Sequence, residues 1–105
     1  MIDISIIIVN YNVRDYLISC IKSIFEQSSN SISIEIIVID NNSSDNSVEF
    51  LKNNFPEIKL IINDKNEGFT KAANLGAKSS KGKYLFILNP DTYFIEDSLS
   101  ILFKL

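Results

Sequence analysis

Four short runs of β-branched and aromatic residues alternate along this chain with segments whose apolar positions recur every three or four residues. The first run, 4–9, reads Ile-Ser-Ile-Ile-Ile-Val. A near-continuous run of this kind marks a strand covered on both faces. From Val13 the apolar residues fall at Val13, Tyr16, Leu17, Cys20, Ile21, Ile24 and Phe25. That spacing predicts an amphipathic helix, with Asn12 as its N-cap. Residues 28–33 read as a polar loop and 35–39 as a second buried strand, ending at Asp40. The Ser/Asn/Asp cluster at 41–47 predicts a helix start capped by Ser43 or Ser44; Val48, Leu51 and Phe55 form its buried face and Pro56 its stop. A third strand is expected over 59–62. After a loop at 63–68 comes a helix over 70–80 whose inner side is small, with Ala72, Ala73, Gly76 and Ala77. A fourth strand over 84–88, packing through Tyr84 and Phe86, is broken by Asn89-Pro90, and a last helix from Glu96 carries Leu99, Leu102 and Phe103.

Buried strands alternating with helices predict an α/β fold of four β-α units around a doubly wound, mostly parallel sheet, because right-handed crossovers place helices on both faces. The 105 residues suit one domain, 1–105, without repeat or internal linker. The chain stops inside an apolar helix, so a domain truncated before a further half is expected.

Composition removes several chemistries. Hydrophobic residues make up 46% and charged residues 22%, a globular balance. There is no His, which excludes a Ser-His-Asp triad and a His-ligated zinc, and one Cys makes neither an internal disulfide nor a Cys-rich metal site. Cys20 falls on the buried stripe of the first helix and reads as a core thiol. The three Gly, at 68, 76 and 82, spell neither GxGxxG nor a Walker A loop. The net charge of −3 with scattered basic residues argues against a nucleic-acid partner. Lys78, Lys81 and Lys83 read as a solvated face. The first apolar run is too short to span a membrane and no basic segment precedes it, which predicts a cytoplasmic location. The N-x-S sequences at Asn41 and Asn42 then read as accidents of an Asn-rich chain.

In open α/β sheets, ligands sit beyond the carboxyl ends of the strands. Each strand here delivers carboxamides or carboxylates to that edge: Asn10-Tyr11-Asn12, Asp40-Asn41-Asn42, Asn66-Glu67-Gly68 and Asn89-Pro90-Asp91. Singly, each cluster reads as a turn. Together they suit a nucleotide. Tyr11 can lay its ring on a nucleobase, Asp40 can accept from a base imide N–H, and Asp91 can hold a divalent cation against a diphosphate.

These residues also carry a resemblance. Ile-Ile-Val-Asn-Tyr-Asn at 7–12, Val-Ile-Asp-Asn-Asn-Ser-Ser-Asp at 38–45, Asn-Glu-Gly-Phe-Thr-Lys-Ala-Ala-Asn-Leu-Gly at 66–76 and Leu-Asn-Pro-Asp-Thr at 88–92 resemble family 2 glycosyltransferases, most closely the rhamnosyltransferase-like branch. The resemblance spans essentially the whole chain. It implies a GT-A fold, Rossmann-like, whose N-terminal half binds a nucleotide-diphospho-sugar for inverting, metal-assisted transfer to a saccharide or lipid-linked acceptor in surface polysaccharide synthesis. Val9, Tyr11 and Asp40 would line the nucleoside pocket, with Asn12 beside them. Asn66, Gly68 and Asn74 match the donor-side motif. Asn89-Pro90-Asp91 stands where the family has DxD, with Asn89 on the donor and Asp91 as the carboxylate for magnesium or manganese. Members of the family look about twice as long or more, and their second half supplies the acceptor site and general base. No catalytic base is therefore assigned within this chain; Glu67 and Asp45 read as loop solvation or capping. The resemblance also implies peripheral placement at the inner face of the membrane, and a chain lacking its second half is expected to self-associate through the open face.

Three other readings compete. A phospho-receiver or other non-catalytic α/β nucleotide-binding or regulatory module would need paired acids at strand one, where Asn10-Tyr11-Asn12 stands. A nucleotidyltransferase would need a Gly-rich basic loop there. A catalytically dead remnant is separated only by binding data.

Overall fold

β1 (Ile4–Asn10), β2 (Ile34–Asp40), β3 (Lys59–Ile62) and β4 (Tyr84–Leu88) pair side by side, every neighbouring pair parallel, in the order β3-β2-β1-β4. The computed structural model describes residues 1–28 and 31–103, with Phe103 by its backbone alone. Both ends of β1 are set by its register with β2, which runs from Ile4 opposite Ile34 to Asn10 opposite Asp40. The predicted doubly wound α/β sheet is therefore present, and every strand end meets at one edge.

Alternation along the strands divides the core in two. Ile4, Ile6 and Ile8 of β1, with Ile36 and Val38 of β2, pack with Leu17, Cys20, Ile21 and Ile24 of α1 (Arg14–Gln27), Leu51 of α2 (Ser47–Asn54) and Leu99 of α4 (Ser98–Phe103). On the opposite face Ile7, Val9, Ile37 and Ile39 pack with Ala72 and Ala73 of α3 (Phe69–Ser79). Small residues let α3 lie close: a Cβ on Gly76 would stand 2.6 Å from Ile39 Cδ1 and 2.8 Å from Ile7 Cγ2. Because α3 packs on β1 and β2, the same face of β4 is uncovered, and Leu85 and Ile87 are 45% and 50% exposed. Among the described residues no helix is long and apolar enough to cross a membrane.

Several local expectations are corrected. The apolar stripe of α1 is narrower than its spacing predicts, since Tyr16 and Phe25 are exposed, Phe25 stacking on the Phe55 ring with centroids 5.7 Å apart. Tyr84 does not pack in the core as Phe86 does; it is exposed, with Lys83 Nζ 5.6 Å above its ring. In the short α4, Leu99 is buried but Leu102 is exposed, and the side chain of Phe103 lies outside the described residues. Lys78, Lys81 and Lys83 are exposed, as expected of a solvated face.

The caps also differ. Asn12 does not cap α1: it adopts a left-handed conformation (φ 53°), and the cap position is Val13, without a side-chain bond. Ser43 and Ser44 do not cap α2, which starts after left-handed Asn46. Asp45 serves both helices instead. Its Oδ2 accepts the Arg14 backbone N–H at 2.9 Å, and its Oδ1 accepts the Ser47 backbone N–H at 3.1 Å together with the Ser47 hydroxyl.

Candidate functional site

The strand order reverses beside β1, between β2 on one side and β4 on the other, which is where such sheets open a crevice. Asn10 and Asp40 are directly opposed in the parallel register, and both are buried. Burial of polar side chains requires partners. Asn10 Nδ2 donates to Asp40 Oδ1 at 2.8 Å and to Ser43 Oγ at 3.2 Å, while the Ser43 backbone N–H donates to Asp40 Oδ2 at 2.8 Å.

The same serine reaches the first loop. Its Oγ accepts the Asn12 backbone N–H at 2.9 Å, and Asn12 Oδ1 accepts the Ser44 backbone N–H at 2.7 Å. With Asp45 on Arg14, these bonds stitch the β1–α1 loop to the β2–α2 loop. Tyr11 sits on the stitched loop with its ring half exposed, available for stacking. Asp40 and Ser43 line a groove of about 380 Å³ on the α2 side.

Asn41 is also buried, 2% exposed, and ties β2 to the other loop. Its Oδ1 accepts from Asn63 Nδ2 at 2.8 Å and its Nδ2 donates to the Gly68 carbonyl at 3.2 Å. Asn66 Oδ1 accepts the Gly68 backbone N–H at 2.9 Å, closing a turn that Gly68 enters at φ 81°. Gly68 is thereby fixed at the N-terminus of α3, where unpaired backbone N–H groups favour an anion. A glycan on Asn41 would be incompatible with this burial, in keeping with the reading of its N-x-S sequence as accidental.

Asn89 and Asp91 occupy the turn after β4 and line a groove of about 400 Å³ with Pro90, Val13 and Tyr16. Ser23 of α1 holds the segment beyond this turn by accepting the Phe94 backbone N–H at 3.0 Å. The Asp91 charge is felt inside α1: burial first, and Asp91 second, push the Cys20 thiol up to about 11. Among the described residues no three His, Cys, Asp or Glu side chains gather as a metal site. One carboxylate with an adjacent carboxamide fits a hard cation that takes its remaining oxygens from a diphosphate and water.

The structure thus brings Tyr11, Asn12 and Asp40 together through Ser43, and Asn66 and Gly68 together through Asn41. Asn89 and Asp91 stand in a separate groove, bordered by Val13 and Tyr16, which also line a smaller one beside Asn12 and Asp45. The Val9 side chain belongs to the α3-facing core, and Asn74 is exposed on α3. The sequence placed Asn10 and Asn41 in the strand-end clusters without giving either a role of its own, and read Ser43 as a helix cap and Asp45 as loop solvation or capping. The available signal was their position: polar side chains at the last residue of a buried strand, or just beyond it, must find partners across the sheet edge.

Residues 5–105 match the family model described as glycosyl transferase family 2. Glycosyltransferase GlyA of Streptococcus pneumoniae serotype 4 is 34% identical over 104 residues, covering 96% of this chain and 14% of that protein. An uncharacterized glycosyltransferase of Haemophilus influenzae is 35% identical over 99 residues, covering 91% of this chain and 39% of that protein. The chain therefore spans well under half the length of these curated relatives. The crystal structure of S. aureus TarS 1-349 in complex with UDP superposes with a TM-score of 0.86 at 21% identity, covering 96% of this chain and 31% of that one, which gives the same fold. With the family model matched over residues 5–105 of this chain and the four strand-end clusters gathered at one edge of a GT-A sheet, the chain belongs to glycosyl transferase family 2.

Proposed function

We propose that these 105 residues form the donor-binding part of an inverting glycosyltransferase, which moves a sugar from a nucleoside-diphospho-sugar to a saccharide or lipid-linked acceptor. The observation that carries this reading is the stitched edge: Asn10, Asp40, Ser43 and Asn12 brace one side, Asn41, Asn66 and Gly68 the other. The TarS structures with UDP and UDP-GlcNAc, which share this fold, support a uridine diphosphate donor. In this reading Tyr11 stacks on the base and Asp40 accepts its imide N–H. Val9 and Asn12 flank them, and the α3 N-terminus with Asn66, Gly68 and Asn74 faces the donor.

Asp91, with Asn89, would hold Mg²⁺ or Mn²⁺. When bound, that cation would neutralise charge developing on the departing diphosphate. Asp91 and Asn89 both line the groove, the first bringing a carboxylate and the second a neutral carboxamide oxygen. No residue of this chain is assigned to take the acceptor proton; a positioned carboxylate from elsewhere in a longer enzyme would do so. Surface polysaccharide synthesis at the inner face of the membrane, and self-association of this chain through Leu85 and Ile87, belong to the same proposal.

Calorimetric titration with UDP, dTDP and GDP, with and without Mn²⁺, tests it. Binding of one diphosphate, strengthened by Mn²⁺ in the parent and not in Asp91→Ala, is expected. A folded sample that binds none of the three overturns the donor-binding reading. Gel filtration tests self-association, which a monomer at high concentration rejects.

A further inference from the structure

Among the described residues, the stitched edge contains one buried side-chain acceptor without a partner, Asn10 Oδ1. Its orientation follows from its neighbours: the end facing the Asp40 carboxylate must be the amide nitrogen, because two oxygens would repel there. Asn10 is fully buried. An apolar residue of similar size would fill the same space without stranding an acceptor. What Asn10 adds is donation from Nδ2, to Asp40 at 2.8 Å and to Ser43 at 3.2 Å.

The Asn10 bond to Oδ1 and the Ser43 backbone N–H on Oδ2 occupy one lone-pair direction on each oxygen of Asp40. The carboxylate is thereby fixed in rotation, and its remaining lone pairs keep constant directions. We propose that Asn10 is a positioning residue for base selection: by holding the Asp40 carboxylate in one orientation, it sets the preference for a nucleobase that presents an imide N–H over one that presents a ring acceptor at that place. The proposal rests on the reading that Asp40 meets the base. With Asn10 replaced by an apolar side chain, the carboxylate keeps only the Ser43 N–H and can turn. An imide is then bound in many orientations rather than one.

The test is the ratio of Kd values for CDP and UDP on the 105-residue chain, measured by calorimetry for the parent, Asn10→Leu, Asn10→Thr and Asp40→Ala. The parent is expected to prefer UDP, Asp40→Ala to lose the preference, and Asn10→Leu to reduce it by about tenfold, the scale of one hydrogen bond. Asn10→Thr, which keeps a hydroxyl donor, is expected to retain more of it. A purely structural asparagine would lower the melting temperature and weaken both nucleotides alike, leaving the ratio unchanged. Loss of preference in Asp40→Ala with an intact ratio in both Asn10 variants overturns the role of Asn10 while sparing base recognition by Asp40. A parent without preference, or one whose preference survives Asp40→Ala, overturns both. Should Asn10→Leu fail to fold, NMR of the parent decides: the Asn10 side-chain amide resonances are expected to move more with UDP than with CDP, and equal movement rejects the proposal.

Discussion

Asp45 accepts the first backbone N–H of α1, from Arg14, at 2.9 Å, across 31 positions of sequence. The same carboxylate caps its own helix through Ser47. One acid thus replaces the two local caps that the Asn and Ser residues would have made, and it makes the starts of two helices depend on each other.

Replacing Asp45 with Ala removes both caps, and about 1–2 kcal/mol of stability should go with them. Burial pushes the Asp45 carboxyl up, but the Ser47 hydroxyl and the Arg14 and Ser47 backbone N–H groups outweigh it and hold it below its ordinary value of 3.8. A carboxyl depressed on folding stabilises the protein above its unfolded value and loses that contribution as pH falls through the folded one. The parent should therefore lose stability more steeply than Asp45→Asn below about pH 4, which acid denaturation followed by circular dichroism would measure.

Gly82 meets β1 at the opposite edge of the sheet. A Cβ there would lie 2.4 Å from the Ser5 backbone nitrogen, and the Gly82 N–H already donates to Ser5 Oγ at 2.7 Å. Gly82→Ala should destabilise by about 1–3 kcal/mol, read as a lower melting temperature. Nucleotide affinity of the folded fraction should stay unchanged, because this edge is remote from the strand carboxyl ends.

Cys20 is buried in the α1 core and its thiol is pushed up to about 11 by burial and by Asp91. An alkylating reagent at pH 8 should leave it unmodified in the folded chain and label it fully in denaturant, since the thiolate is the reactive form. Rapid labelling without denaturant would contradict this packing.

Asp91→Ala should abolish the Mn²⁺-dependent part of nucleotide affinity while preserving the metal-independent part that the proposed function assigns to Tyr11 and Asp40. Titration with UDP at fixed Mn²⁺ and in chelator separates the two. Equal metal enhancement in parent and variant would remove Asp91 from the cation site.

The architecture was legible because apolar runs of strand length alternate with helical periods; the runs at 59–62 and 84–88 became strands with those very bounds, although both are partly exposed. What periodicity could not show was the reach of polar side chains across the edge. Asn12 and Ser43 look like local caps, since nothing in a single segment reveals that Asn12 turns left-handed and meets Ser44 from another loop. Tyr16 and Phe25 fit the helical stripe yet are exposed, Tyr16 lining the groove of Asn89 and Asp91 and Phe25 stacking on the Phe55 ring.

Asp40 and Asn41, consecutive at the end of β2, are tied to opposite loops: one to Asn10 and Ser43, the other to Asn63 and Gly68. Both walls of the crevice therefore hang from a single peptide unit. Substitutions elsewhere in β2 leave that division intact, whereas inserting or deleting one residue before Asp40 would move both side chains out of register with their loops and undo both walls together. The length of this segment, more than its composition, decides which side chain meets which loop.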